Sequence, residues 1–244
     1  MSIKTKALLF GVGLLFLAGP VLHAQPERPF RQMDDPTKLD TVRSIAGYFT
    51  PATKSKKSPD ADGFIQRWLL LEPISKPNFT NTVFTDSYLR KAFDTLYFPD
   101  QFTILPKNGE KVRVGDNELT WHALDSKNFN VKLFRFAYGL HKQVYGVIFW
   151  AVTIVNSPEE VKNVRMAVGS NSASMWWLNG EEAVLLSGDR RMVMDDCVSP
   201  RLTLNKGKNI IRGVVINGPG MSDFCVRFLD ENGEPVRNLT ITGK

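Results

Sequence analysis

Histidine is scarce in this chain. The 244 residues include three, His23, His122 and His141. A Ser-His-Asp hydrolase needs a histidine base held beside its nucleophile. The sequence has no G-x-S-x-G nucleophile elbow. Ser187-Gly188-Asp189 is not the Gly-Asp-Ser order of another esterase type, and His122, which follows Trp121, reads as a structural residue of a strand. Cysteine is equally sparse. Cys197 and Cys225 are the two present, and their spacing matches no zinc motif. A glycosidase needs two carboxylates facing one cleft. Asp195, Asp196, Glu181 and Glu182 are available, but their order along the chain does not establish that any pair faces a cleft. No catalytic constellation, metal site or cofactor motif emerges, and the chain reads as non-catalytic.

Other absences bound the partners. No sequence repeat of the length used by solenoids and propellers is present. The formal charge is +6, and the compact basic cluster, Lys54, Lys56 and Lys57, lies in a polar stretch without interleaved aromatics. A nucleic-acid interface needs a basic face with aromatic or groove-reading elements, so nucleic acid is excluded as a partner. The longest apolar run near the N-terminus covers residues 7–17. That is shorter than the roughly 20 residues a membrane span needs.

What is present begins with that run. Lys4 and Lys6 precede it, and Gly19-Pro20 and Leu22-His23-Ala24 follow. This is the order of a secretory signal, with cleavage expected after Ala24. The expectation is an exported protein, periplasmic or extracellular, with no membrane span in the mature chain. Cleavage would leave 220 residues and a formal charge of +4. In an oxidising compartment a Cys197–Cys225 disulfide and two free buried thiols are both open.

Residues 25–62 are polar and interrupted by five prolines. They read as an N-terminal extension and exposed linker, with residues 63–244 as one domain. Residues 63–74, GFIQRWLLLEPI, contain a continuous apolar run and predict a strand buried on both faces. Residues 84–98 carry the clearest helix signal. Thr85 or Asp86 caps it, Tyr88, Leu89, Ala92, Phe93 and Leu96 recur at helical spacing, and Pro99 ends it. Beyond residue 108 the period changes to two. Gly115-Asp116-Asn117 predicts a hairpin turn, residues 130–136 read as a strand, and residues 144–155 read as a central strand. Further short strands follow at 161–168, 174–178, 183–186, 202–204, 209–217, 224–229 and 238–242. Many short strands divided by turn residues, with one short helix near the N-terminus, predict an all-β antiparallel sandwich or jelly roll.

Several stretches in this region form a recognisable series. The order is MAVGS, then MWWLNGEE, LTLNKGKNIIRGVVING and DFCVRFLDENGEPV, with GFIQRWLLLEPI upstream. It resembles the galactose-binding-like and related jelly-roll domains attached to secreted bacterial polysaccharide-degrading enzymes, such as acetylxylan esterases. The resemblance spans about residues 63–235. It implies a non-catalytic carbohydrate-binding or accessory module of a polysaccharide-degrading system, with a plant-type polysaccharide as partner. Two alternatives stand beside it: an esterase or hydrolase related to such systems, and a structural or protein-interaction domain of the cell envelope. Where those domains often carry paired acids after MAVGS, this chain has Ser170-Asn171-Ser172-Ala173-Ser174. Hard cations prefer several carboxylate ligands, so no metal is carried over.

Two places supply candidate ligand contacts. Successive strand residues point to opposite faces, so Trp176 and Trp177 cannot share one. Trp177 occupies the position of the tryptophan in WLNG and is assigned to the core. Trp176 is then expected on the outer face, open to stack on a sugar or covered by the helix. The second place is GDRRMVMDD, residues 188–196, a loop at the sandwich end. Arg190 and Arg191 could bind sugar hydroxyls or a uronate, and Asp195 and Asp196 could accept from hydroxyls, unless the loop neutralises itself. Asn179-Gly180 reads as a hairpin turn rather than a ligand contact.

Overall fold

The computed structural model describes residues 43–242. The signal segment and its cleavage site lie outside the described residues. The strands are β1 (Phe49–Pro51), β2 (Arg67–Leu71), β3 (Ile74–Ser75), β4 (Lys111–Val114), β5 (Asn117–Ser126), β6 (Val147–Ser157), β7 (Val161–Ser170), β8 (Ala173–Leu178), β9 (Glu181–Leu186), β10 (Cys197–Val198), β11 (Leu202–Leu204), β12 (Gly207–Asn217), β13 (Phe224–Leu229) and β14 (Thr240–Thr242). Two α-helices accompany them, α1 (Asp86–Asp94) and α2 (Leu133–Gly139).

The expected antiparallel sandwich is what forms. The larger sheet runs β1-β5-β2-β6-β12-β8-β9, with β3 and β14 added on β6 and β4 on β5. Its spine is the pairing of β12 with β6 over their full length, Gly207↔Ser157 to Asn217↔Val147. These strands are runs of Val, Ile, Phe and Trp because both of their faces are buried. The smaller sheet sets β7 between β13 and the pair β10 and β11. After β6 the chain crosses between sheets, so side chains of β7 and β13 share one core with those of β2, β6, β8, β9 and β12. Hairpin chemistry behaves as expected. Asn179 and Gly180 have φ of 54° and 93° and join β8 to β9 in a two-residue loop, as Leu178↔Glu181 pairing requires.

The core has two layers. Between the sheets, Trp68, Trp176 and Phe224 form a cluster with centroid separations of 5.9, 5.0 and 4.8 Å. The outer face of the larger sheet carries Leu69, Leu71, Trp121, Trp150, Met175, Trp177, Val214 and Ile216. It is covered by α1 through Leu89, Ala92 and Phe93, and by Phe84, Phe98 and Phe102. Thr85 caps α1 by accepting from the Tyr88 N–H at 3.3 Å. That bond satisfies one of the orphan donors of the first turn.

Two expectations need correction. Residues 130–136 do not form a strand. α2 occupies Leu133–Gly139 and buries Leu133, Phe134, Phe136 and Ala137. That spacing is helical. The aromatic content that favours a strand instead fills one end of the inter-sheet core, where Phe136 packs edge-on against Phe49 at 6.2 Å. The described residues therefore hold two short α-helices, not one. In addition, the polar stretch from residue 50 is exposed but stitched to the sandwich. β1 pairs with β5, and Lys57 bridges Ile241 in both directions, at 3.1 and 2.6 Å.

Candidate functional site

The tryptophan pair alternates as strand geometry demands, but the faces are the reverse of the sequence expectation. Trp176 points between the sheets and is 0% exposed, with its indole N–H donating to Ser174 Oγ at 2.9 Å. Trp177 points outward under the helical cover, stacked on Trp150 at 6.1 Å and 8°. Trp176 is thus a core residue and not a sugar platform. The reason lies across the strand pair. Gly213 faces Trp176 in the register, and a Cβ there would fall 2.1 Å from Trp176 Cζ3. The missing side chain of one strand creates the slot for the indole of the next. All five tryptophans of the chain are at most 8% exposed.

The loop of residues 188–196 is largely self-neutralised. Arg190 donates to Ser187 O at 2.9 Å and forms an ion pair with Asp196. Asp195, at φ 54°, receives the Arg227 Nε–H and pairs with its terminal nitrogen. That hydrogen bond, and the charge of Asp195, hold the Arg227 guanidinium above its usual range. Arg191 is exposed. Of the four charged candidates, Arg190, Asp195 and Asp196 are engaged with protein partners and Arg191 faces solvent.

Cys197 and Cys225 are free thiols. Cys197 pairs with Val168 and Cys225 with Gly169, on opposite edges of β7. Two strand spacings of about 4.8 Å exceed the Cα separation of about 7 Å that a disulfide spans. The disulfide option is therefore corrected to two reduced thiols separated by a strand. Burial pushes the Cys225 thiol up to about 12 and raises Cys197 too.

The carboxylates weighed for catalysis are not arranged for it. Glu182 receives both terminal nitrogens of Arg90 at 2.7 and 2.8 Å. The hydrogen bonds from Arg90 lower its pKa, whereas a general acid needs the opposite shift. His122 Nε2 lies 3.4 Å from Glu72 Oε1, and its ring meets Phe136 edge-on. Among the described residues, no three His, Cys, Asp or Glu side chains converge as a metal site.

A site that the sequence did not single out is a polar cleft of about 360 Å³ at the Asn179-Gly180 end of the sandwich. Its lining comes from two segments, Leu178, Asn179 and Glu181 on one side and Arg201, Leu202, Thr203 and Asn205 on the other. Neither Glu181 nor Arg201 has an ion-pair partner among the described residues. Arg201 is positioned by donation to Asn163 O at 3.1 Å. The walls are tied together by buried Asn209. It accepts from Asn205 N at 2.9 Å and Asn179 Nδ2 at 3.0 Å, and donates to Asn205 O at 2.8 Å. Asn179 in turn accepts from Ile210 N at 2.8 Å. Asn179 is a positioning residue whose amide is already consumed. The local signal for this hub is LNKGKN, where Asn205 and Asn209 bracket the turn into β12.

The described domain is thus an antiparallel β-sandwich with a helical cover on one sheet and a polar cleft at one end. No protein-family model matches the sequence, and no curated protein matches it. Solved structures share features of its shape. The PA14 sugar-binding domain of an RTX adhesin aligns over 74% of this chain and 100% of its own, at 10% identity and a TM-score of 0.44. The PA14 domain of the antifreeze protein MpAFP aligns over 79% of this chain and 98% of its own, at 11% identity and a TM-score of 0.43. A β-glucosidase from Kluyveromyces marxianus, in complex with glucose, covers 51% of this chain and 16% of its own, at 18% identity and a TM-score of 0.35. The two that span most of this chain are PA14 domains.

Proposed function

We propose that this protein is an exported, non-catalytic carbohydrate-binding module acting in polysaccharide degradation, and that the polar cleft at the Asn179-Gly180 turn receives the saccharide. The observation that carries this reading is the composition of the cleft. Glu181 offers an acceptor, Arg201 a donor, and Thr203 and Asn205 groups that do both, while Leu178 and Leu202 supply an apolar wall. A sugar ring presents the complement: hydroxyls that donate and accept around a C–H face. The cleft volume falls at the lower end of the roughly 300–1,000 Å³ typical of small-ligand sites. Export rests on the charged and apolar order of residues 1–24, and the polysaccharide context on the motif series between residues 63 and 235.

Affinity gel electrophoresis on xylan, glucans and mannans, followed by calorimetry with oligosaccharides from any gel that retards the protein, tests the proposal. Glu181→Ala and Arg201→Ala should each weaken binding by about 10-fold or more, since each removes a charge-assisted hydrogen bond. Both side chains are exposed, so the variants should remain folded. Retardation on no polysaccharide would overturn the carbohydrate reading. Retardation unaffected by both variants would overturn the assignment to this cleft.

A further inference from the structure

A second, larger cleft lies on the outer face of the larger sheet, away from the polar one. It measures about 890 Å³ and is lined by Ala52, Thr53, Lys54, Leu105, Lys107, Asn108, Ala123 and Thr242. Its walls come from four separate segments. Ala52 to Lys54 continue β1, Leu105 to Asn108 belong to the connection between α1 and β4, Ala123 lies on β5, and Thr242 ends β14.

The chemistry of the lining is one-sided. Ala52, Leu105 and Ala123 are apolar, and Leu105 is 36% exposed. The remaining residues present hydroxyl, amide or ammonium groups, and no carboxylate lines the cleft. Asn108 Oδ1 already accepts from Ala123 N at 2.8 Å, which leaves its amide nitrogen as the free end. Lys54 and Lys107 have no carboxylate within ion-pairing distance among the described residues, whereas Lys57 pairs with Asp125 at 3.7 Å. Asp125 is further occupied by Arg67 in a two-pronged contact at 2.7 and 2.9 Å. Glu110 turns toward the backbone, accepting from Lys107 N at 2.8 Å. Lys54, from the basic cluster, and Lys107 thus line a largely apolar cleft whose nearby acids are already engaged.

We propose that this cleft binds a small amphipathic anion, an alkyl or aryl carboxylate whose apolar body lies along Ala52, Leu105 and Ala123 while Lys54 and Lys107 hold its charged end. Burial of the apolar body supplies affinity, and the two ammonium groups set the sign of the charge. The inference does not depend on the saccharide reading, because the two clefts share no lining residue.

Octanoate, octanol and octylammonium, titrated into the isotopically labelled protein and followed by amide shifts in two-dimensional NMR, test it. Octanoate should saturably shift the amides of residues 52–54, 107–108 and 123. Octanol and octylammonium should bind at least several-fold more weakly. Lys54→Gln and Lys107→Gln should each weaken octanoate binding by about fivefold, the worth of one nearby exposed charge of about 1 kcal/mol, and leave octanol unchanged. Both lysines are exposed, and the same spectra report whether each variant is folded. Equal binding of octanoate and octanol, shifts confined to other residues, or no response to octanoate would each overturn the proposal.

Discussion

Gly213→Ala is the sharpest probe of how the two sheets fit together. The added methyl would stand 2.1 Å from Trp176 Cζ3, 2.4 Å from Cε3 and 2.6 Å from Cη2. The indole has no route of retreat. Its N–H is bonded to Ser174, and Trp68 and Phe224 pack against its ring at 5.9 and 4.8 Å. Overpacking a well-filled core costs about 1–3 kcal/mol. Replacing a glycine returns about 0.4–1 kcal/mol by restricting the unfolded chain. The clash exceeds that return, so a net loss of about 1–2 kcal/mol is expected from urea denaturation midpoints. The control is Trp176→Leu, which removes the ring atoms that the methyl would strike. Trp176→Leu alone should destabilise, though by less than the about 3–5 kcal/mol of a Trp→Ala truncation. In that background Gly213→Ala should become neutral or mildly stabilising, giving a coupling energy of about 1–3 kcal/mol. Equal effects of Gly213→Ala in both backgrounds, or a Gly213→Ala protein as stable as the parent, would refute the slot argument.

Four further outcomes follow from the same structure. Without reductant, mass spectrometry after denaturation and alkylation should find both Cys197 and Cys225 modified, and a Cys197–Cys225 bridge would contradict the intervening β7. In the native state at pH 8, Cys225 should be alkylated far more slowly than Cys197, because its ionisation is pushed to about 12 and its side chain is buried. Burial raises Asp223 above the ordinary carboxylate range against the opposing charges of Lys132 and Arg135. Its stabilising contribution is therefore complete below the unfolded value and is lost as pH rises through the folded one. Relative to Asp223→Asn, the parent should lose stability as pH rises above the ordinary carboxylate range in urea titrations, and parallel profiles would count against this. Asn209→Ala should cost about 1–3 kcal/mol in the same assay, since it strands Asn205 N–H and Asn179 Nδ2 of the cleft. It should weaken any saccharide bound there, and unchanged stability would show that the hub is replaceable.

Local chemistry determined much of this protein before any contact was known. Thr85 and Pro99 bracket α1 because a hydroxyl at the first position satisfies a free amide and proline cannot continue a helix. Asn179-Gly180 makes a two-residue hairpin because both residues accept positive φ. The runs of β12 and β6 read as buried strands because only a sheet covered on both sides needs apolar residues without alternation. The sandwich follows from these signals. What the sequence could not assign was which way a buried surface faces. Alternation separates Trp176 from Trp177, but both faces of this sheet are covered, so polarity carries no sign. The choice was made by Gly213, 37 residues beyond Trp176, which opens the inter-sheet side. Tertiary structure likewise placed β7 between two cysteines, matched Arg227 to Asp195, and brought Arg201 opposite Glu181. Each of these depends on strands meeting across the fold, and pairing register is not written in either strand alone.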